Sequence, residues 1–299
     1  MTGVTGVTGP PGRTEAARPA GASRGGRAGG RAGPAPEPGR AHPARMQDYY
    51  LGGRDHSDAD VRAAESVVAA MPAVRNAARA NRDFMLRATR WLAAERGVGQ
   101  FLDIGSGIPT EPNLHQAARE ADPGAKVVYS DNDPLVLRHA RAARDGNDEG
   151  RTAYVHADLT DPESILDAPG LSDTIDLGRP VGLSLGAVLH FVRDEQHPYD
   201  IVRTLLGALP AGSHLVLTHA TADFLDEDAA ARAETVLGTY PGGCPLRPRT
   251  RSEVARFFDG LEPADPGLVL PHQWRPDPDT PAHLSGEEVP SYAGVARKP

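Results

Sequence analysis

Three aspartates follow short apolar stretches, and their spacing is typical of a site that binds a nucleoside. Asp103 comes just before a turn formed by Gly105 and Gly107, and an apolar run that ends in glycines indicates a buried strand followed by a tight turn. Asp131 lies 24 residues after Gly107, close to where a βαβ unit places the acid that binds ribose hydroxyls. Asp158 follows a third apolar stretch, where a carboxylate can accept from the exocyclic amine of adenine.

The glycine turn differs from the dinucleotide-binding fingerprint at its third position. Thr110 stands where the pattern Gly-x-Gly-x-x-Gly has its last glycine, and a β-branched residue there disfavours close approach to a pyrophosphate. The carboxylate of Asp103 suits an ammonium group better than it suits phosphates. Both features favour a nucleoside with a zwitterionic tail over NAD. A turn from strand to helix that binds no ligand is the alternative.

The elements that position these acids are predicted to alternate between strands and helices, which indicates an α/β fold with a doubly wound sheet. The glycine turn leads into a helix that Thr110 caps. His190 lies in a further apolar helical segment. The predicted strands lie within 100–107, 126–134, 152–159, 180–185, 215–218 and 292–297, the helices within 112–120, 135–144, 198–209 and 250–258, and a hairpin strand with a loop within 263–281.

Upstream of the sheet, composition divides the chain into three parts. Residues 1–41 are rich in Gly, Pro, Ala and Arg and lack large apolar side chains, so we expect a disordered tail. Residues 42–98 are predicted to form a helical cap with helices at 59–70 and 73–96, started by Ser57 and ended by Gly97. Residues 99–299 form the ligand-binding domain.

The segment from Met46 to His56 combines aromatic and charged side chains with a pair of glycines. Such loops often face a ligand, so we expect Tyr49, Tyr50 and Arg54 to belong to a lid over the crevice. The alternative is a static strap in which the tyrosines cover the core.

The composition of the chain excludes several classes of function. The chain has 299 residues and a net charge of −8, although seven arginines lie in residues 1–45, so its acidic body is a poor match for nucleic acid. Cys244 is the only cysteine, which favours a reducing cytoplasm and excludes a cysteine-based zinc cluster. The longest apolar run, 181–192, is too short to cross a membrane. The sequence gives no indication of an oligomeric state.

Several motifs resemble those of a known family. The segments FLDIGSG, VVYSDNDP and VHADL are similar, in order and spacing, to motifs I, II and III of class I S-adenosylmethionine-dependent methyltransferases. More narrowly, residues 42–299 resemble an actinobacterial family of S-adenosyl methyltransferases, once catalogued as a domain of unknown function, in the segments DYYLGGRDH, ANRDFMLRA, AVLHFV and SYAGVARKP. The resemblance implies a Rossmann-like seven-stranded methyltransferase sheet with an N-terminal helical extension, and S-adenosylmethionine as cofactor.

The resemblance also implies roles for individual residues. Those expected to bind the cofactor are Asp103, Gly105 and Gly107 at the methionine end, Asp131 at the ribose, and Asn132, Asp158 and Leu159 at the adenine. His190 is expected to face the transferred methyl group, and both His190 and His219 are candidates for a base that acts on the acceptor.

The acceptor is expected to be a small molecule that is methylated at oxygen or nitrogen. The chain lacks the Asp/Asn-Pro-Pro-aromatic motif of amino-methyltransferases and the Pro-Cys nucleophile used on pyrimidines, and no metal site is expected. Two alternatives stay open. One is a protein that binds S-adenosylmethionine as a sensor without catalysis, and the other is a nicotinamide-dependent dehydrogenase.

Overall fold

A computed structural model describes residues 1–3, 6, 39–142, 151–231, 245–281 and 283–299. The chain divides into two compact units, residues 1–31 and residues 32–299, and every element given below belongs to the second. The predicted disordered tail falls mostly outside the described residues, as do Cys244 and the last two residues of the helix predicted at 135–144.

A seven-stranded sheet forms the centre of the second unit. Its strands are β1 (Gln100–Ile104), β2 (Lys126–Asp131), β3 (Thr152–His156), β4 (Gly182–Leu185), β5 (His214–Ala220), β6 (Glu262–Pro263) and β7 (Ser291–Arg297). The spatial order is β3-β2-β1-β4-β5-β7-β6, with β1 to β5 parallel and β7 antiparallel to both of its neighbours. Strand order reverses between β1 and β4, and open α/β sheets bind ligands at the carboxyl ends of the strands at such a point. The predicted fold class is confirmed.

Helices cover both faces of the sheet and its carboxyl edge. They include α1 (Pro43–Leu51), α2 (Asp58–Ala70), α3 (Val74–Arg96), α4 (Leu114–Ala121), α5 (Pro134–Ala142), α6 (Pro162–Leu166), α7 (Pro169–Ser172), α8 (Pro198–Gly207) and α9 (Arg251–Ala255). Ser57 caps α2 in a capping box with Asp60, and Gly97 ends α3 with a φ of 64°. Both signals lie in the local sequence, so the cap of α2 and the end of α3 could be predicted from it. None of the described helices is long and apolar enough to cross a membrane.

The predicted start of the helix after the glycine turn is wrong. Helix α4 begins at Leu114, and Asn113 forms its capping box with Gln116, so Thr110 is not its cap. The carbonyl oxygens of Thr110 and Pro112 instead accept hydrogen bonds from the guanidinium of Arg82. This contact with α3 holds residues 110–112 outside helix α4, and no local sequence signal predicts it.

Two further segments differ from prediction. The stretch around His190 forms one 3₁₀ turn, Leu189–Phe191, rather than a helix. The hairpin strand predicted within 263–281 is limited to the two residues of β6, followed by a 3₁₀ turn at Pro271–Gln273. Proline lacks the N–H that a regular strand uses in its ladder, which is consistent with the short β6.

Consecutive residues of each strand face opposite sides of the sheet, and each side has its own apolar core. Leu102 packs in the core that includes α6 and α8, whereas Phe101 packs in the core beneath α3 and α4. A third, smaller cluster joins α1, α2 and α3, and its buried members are Met46, Tyr50, Ala64, Val67 and Ala78. The N-terminal helices are thus packed onto the sheet domain through α3 and onto each other through this cluster.

Candidate functional site

A cavity of about 620 Å³ lies at the carboxyl ends of the parallel strands. Ligand-binding clefts in proteins usually enclose about 300–1,000 Å³, so this one can hold a cofactor together with a small acceptor. Its lining includes nine residues that the sequence predicted for cofactor binding or catalysis, namely Asp103, Gly105, Gly107, Asp131, Asn132, Asp158, Leu159, His190 and His219.

The glycine turn at the end of β1 has the left-handed backbone conformation that glycine favours. Gly105 has φ 72° and Gly107 has φ 67°, which L side chains rarely adopt. A Cβ atom on Gly105 would lie 2.5 Å from Cγ2 of Val188, whereas one on Gly107 would meet no atom within 4 Å. Gly105 is therefore required for close packing against the segment after β4, and Gly107 leaves open space at the cavity wall.

Asp131 at the end of β2 is held in place by the glycine turn. Its Oδ2 accepts from the backbone N–H of Gly107 at 2.9 Å, and its Oδ1 accepts from that of Asp133 at 2.9 Å. Burial raises the pKa of Asp131, and these two hydrogen bonds oppose the shift. Each carboxylate oxygen can accept a second hydrogen bond, so this arrangement can bind the two hydroxyls of a ribose.

Asp103 and Arg82 form an oppositely charged pair beside the turn. Burial raises the pKa of Asp103 to about 7, and the charge of Arg82 partly offsets the shift. The guanidinium of Arg82 is fixed by the carbonyl of Pro112 at 2.7 Å. The pair can therefore receive an ammonium and a carboxylate group side by side. Sequence reasoning missed Arg82, and its only signal was its place in the segment ANRDFMLRA.

At the end of β3, Asp158 lies next to Asn132. Oδ1 of Asp158 accepts from the N–H and the hydroxyl of Thr160, both at 2.8 Å, and Nδ2 of Asn132 is 3.4 Å from Oδ2. Leu159 is buried beside them. A carboxylate, an amide and an apolar side chain in one place can bind a flat heterocycle with an exocyclic amine.

His219 has no ring nitrogen left for a substrate. Its Nδ1 is 2.8 Å from the carbonyl of Ala220, and its Nε2 is 2.9 Å from Nη1 of Arg249. Arginine only donates hydrogen bonds, so Nε2 accepts and Nδ1 carries the proton. Burial lowers the pKa of His219 to about 3. His219 is therefore poorly suited to act as a base in this arrangement, because an efficient base has a pKa near the working pH.

His190 is also neutral but keeps one nitrogen for a ligand. Its Nδ1 accepts from the N–H of Ala220 at 3.4 Å. Burial, and then the nearby His219 and Arg249, lower its pKa well below the ordinary value. His190 is thus poorly suited to act as a base, but it can still orient an acceptor through Nε2.

Residues 46–51 of the segment 46–56 belong to α1, and a capped turn and a short irregular stretch follow up to His56. Gly52 ends α1 with φ 83°, and the N–H of Gly53 donates to the carbonyl of Asp48 at 2.9 Å. A Cβ on Gly53 would collide with the carboxylate of Asp48. The glycine pair thus serves the helix end, which favours the static strap over the lid.

The three residues predicted for the lid have different surroundings. Tyr50 is buried and lines the cavity. Tyr49 packs edge-on against His56, under the guanidinium of Arg75, whose Cζ is 5.0 Å from the ring centre. Tyr49 and Arg54 are not among the residues that line the cavity. Of the three, Tyr50 has the position that a ligand contact requires.

Beyond the acids, the cavity continues into an apolar part that the sequence did not predict. Its walls come from the N-terminal helices and from loops after β4 and β5, and its apolar side chains include Tyr50, Met71, Val74, Phe191, Leu225 and Leu246. Asn81 of α3 also lines the cavity and contacts β5, where Oγ1 of Thr218 donates to its Oδ1.

The sheet order and the strand-end acids around a glycine turn are those of a class I S-adenosylmethionine-dependent methyltransferase. A sequence model of the S-adenosyl methyltransferase family matches residues 35–299. The chain belongs to this family, and its cofactor is S-adenosylmethionine.

Two solved structures are similar over most of the chain. A DUF574 family protein of Streptomyces avermitilis is 47% identical, with a TM-score of 0.82, and the match covers 87% of this chain and 98% of the other. A candidate methyltransferase of Thermobifida fusca is 36% identical, with a TM-score of 0.79, over 87% of this chain and 96% of the other. A comparison with curated proteins gives no match.

Proposed function

We propose that the methyl group is transferred to an oxygen or nitrogen atom of a small molecule that binds in the apolar part of the cavity. The observation that carries this proposal is that one cavity is lined both by the strand-end acids and by apolar side chains of the N-terminal helices and of the loops after β4 and β5. The acid-lined part suits the cofactor, and the remaining space is enclosed by apolar side chains, as in sites that bind small organic molecules.

The residues of the acid-lined part fit the cofactor. Asp103 is an acid whose raised pKa reflects burial without a sufficient counter-charge, and the ammonium of the methionine tail would supply that charge. Arg82 would hold the carboxylate of the same tail. Asp131 would accept from the ribose hydroxyls, and Asp158 with Asn132 would bind the adenine.

The cofactor, when bound, supplies a methyl group on a positively charged sulfur that needs no further activation. The protein then has to align the acceptor and keep water out. Helices α1, α2 and α3 contribute Tyr50, Val67 and Asn81 to the cavity wall, so this part of the chain would perform both tasks.

Turnover of an acceptor tests the proposal. The full chain is incubated with S-adenosylmethionine and a fractionated metabolite extract, and mass spectrometry follows S-adenosylhomocysteine together with a product that is heavier by one methylene. We expect one fraction to give both. Asp131→Asn should lower the signal at least tenfold when S-adenosylmethionine is limiting, whereas Asp173→Asn, at an exposed site just after α7, should preserve it. Cofactor binding without turnover in any fraction would support the sensor alternative instead.

A further inference from the structure

Asn81 lines the cavity, and its amide oxygen, rather than its amide nitrogen, is bonded to Thr218. Oγ1 of Thr218 accepts from the N–H of Ala187 at 2.8 Å, and its own proton goes to Oδ1 of Asn81. Asn81 lines the cavity, and within the described residues its Nδ2 makes no hydrogen bond, so two N–H groups remain for a ligand.

His190 provides a second donor in the same part of the cavity. Because Nδ1 accepts from the N–H of Ala220, the proton of the neutral ring is on Nε2. No hydrogen bond joins Nε2 to any residue in the described part of the chain. The ring is held by edge-on contacts with Phe191 and His219, at centroid distances of 4.5 and 5.6 Å.

A buried cation lies behind this wall. The side chain of Arg249 is fully buried, and it donates to the carbonyls of Leu189 and Val192 at 3.1 and 3.0 Å. Its carboxylate partner, Asp194 at 2.7 Å, is 54% exposed. Solvent screens the exposed carboxylate more than the buried guanidinium, so the ion pair leaves part of the positive charge of Arg249 uncancelled beside His219.

The carboxylates that line the cavity are all engaged elsewhere. Asp103, Asp131 and Asp158 belong to the acid-lined part. The remaining lining acid, Asp48, accepts from the N–H of Asp55 at 2.9 Å and lies 2.6 Å from Nδ1 of His56. His190 and His219 are poorly suited as bases, and burial also lowers the pKa of His42, the third histidine in the lining. The lining histidines among the described residues therefore favour an acceptor that is already ionised.

We propose that the acceptor carries an ionised oxygen, as a carboxylate or phenolate, on an apolar body, and that Asn81 and His190 hold this oxygen through their N–H groups. The proposal rests on the proposed function and deepens it. A lone pair of the oxygen forms the new C–O bond while the pair of the C–S bond returns to sulfur. An anion and a sulfonium cation thereby give two neutral groups, and no proton has to be removed.

Naphthalene derivatives that differ in one substituent test the charge preference. The full chain is saturated with S-adenosylhomocysteine, and calorimetry measures the binding of naphthoate, naphthalenemethanol, naphthylmethylamine and an ionised nitronaphtholate. We expect naphthoate or the naphtholate to bind at least tenfold more tightly than the alcohol, and the amine to bind most weakly. The stronger of the two anions distinguishes carboxylate from phenolate.

The variant Asn81→Asp tests the residue, because it keeps the acceptor for Thr218 and replaces the N–H groups by a negative charge. Anion affinity should fall at least tenfold while affinity for S-adenosylhomocysteine stays within twofold. Arg79→Gln makes the same charge change at an exposed position of α3 and should alter neither affinity.

Three results would overturn the inference: an amine that binds as tightly as the anions, no binding by any of the four probes, or unchanged anion affinity in Asn81→Asp. A failure of the wild-type chain to bind S-adenosylhomocysteine would instead count against the cofactor site itself.

Discussion

The two parts of the cavity are built in different ways. The acid-lined part uses the ends of three neighbouring parallel strands, and its acids fall within residues 103–158. The apolar part gathers side chains from positions as distant as Tyr50 and Leu246. In the first, the geometry of the sheet alone brings the residues together, because parallel strands end at the same edge. In the second, proximity depends on how the N-terminal helices pack.

The two parts of the cavity also differ in the chemical groups that they present to a ligand. The acid-lined part presents hydrogen-bond acceptors and one guanidinium, which suits a fixed cofactor with hydroxyl, amine and zwitterionic groups. The apolar part presents neutral N–H donors in an apolar wall. A cofactor that never changes can be bound by groups that sequence spacing reveals, whereas the acceptor part depends on tautomers and amide orientations that only the structure defines.

The largest expected effect concerns the link between the two parts. Arg45 of α1 binds Asp133 through Nε at 2.8 Å and Nη2 at 3.1 Å, and both side chains are buried. Asp133→Ala should lower the free energy of unfolding by about 3–5 kcal/mol, because it leaves a buried charge unpaired. Denaturant unfolding measures this loss.

The double variant Arg45→Met with Asp133→Leu is the control for that experiment. It removes both charges and should recover most of the stability. If Asp133→Ala alone costs less than about 1 kcal/mol, the two parts of the cavity are not coupled through this pair.

Tyr50 separates a static strap from a lid. Its side chain is 2% exposed and packs with Met46, Val67 and Ala78, so Tyr50→Ala should cost about 3 kcal/mol by leaving a space between α1, α2 and α3. Thermal unfolding measures it. A lid would show a smaller cost, and proteolysis near Arg54 would slow when S-adenosylhomocysteine binds.

Asp131→Ala should weaken the binding of S-adenosylmethionine by about 1.5–3 kcal/mol, because it removes a charged hydrogen-bond acceptor from the ribose. Calorimetry provides the measurement, and NAD should show no heat of binding. Detectable binding of NAD with none of S-adenosylmethionine would contradict the division of the cavity described above.

The smallest expected change in stability concerns Asp103, and the sign of this change depends on pH. The pKa of about 7 in the folded protein is above the ordinary value of 3.8, so the folded state holds the proton more tightly than the unfolded state does. The contribution of Asp103 to stability is therefore present below about pH 4 and is lost as the pH rises through 7.

Asp103→Asn removes this pH dependence. At pH 8 the variant without ligand should be more stable than the wild type by about 1 kcal/mol, because burial penalises the ionised carboxylate and does not penalise the neutral amide in the same way. The gain is limited because Arg82 loses part of its charge partner. The variant should bind S-adenosylhomocysteine at least tenfold more weakly. Thermal unfolding at pH 5 and pH 8 measures the difference. A variant that is less stable than the wild type at pH 8 would show that Asp103 is already neutralised without the cofactor.

The sequence is sufficient to predict those parts of the molecule that local rules determine. Ser57 and Gly97 mark helix ends through their own backbone preferences, and the spacing of Asp103, Asp131 and Asp158 follows from the length of a βαβ unit. These acids were predicted from spacing, and the structure brings them to one cavity.

Sequence reasoning failed where a distant residue decides the outcome. The start of α4 depends on Arg82, which lies 28 residues before Thr110. The state of His219 depends on Arg249, 30 residues further along the chain. The donor role of Asn81 depends on Thr218, 137 residues away. Such contacts follow from tertiary packing, and no periodic pattern of residues in the sequence predicts them.

The buried Arg249 has a consequence for how this enzyme could diversify. Its guanidinium joins the turn after β4, which carries His190, to the end of β5, and none of these bonds involves the apolar side chains of the cavity. Met71, Leu225 and Leu246 can then change in size without breaking these bonds. Acceptor preference can therefore drift through single apolar substitutions, while the chemistry that holds the reacting atom is inherited unchanged.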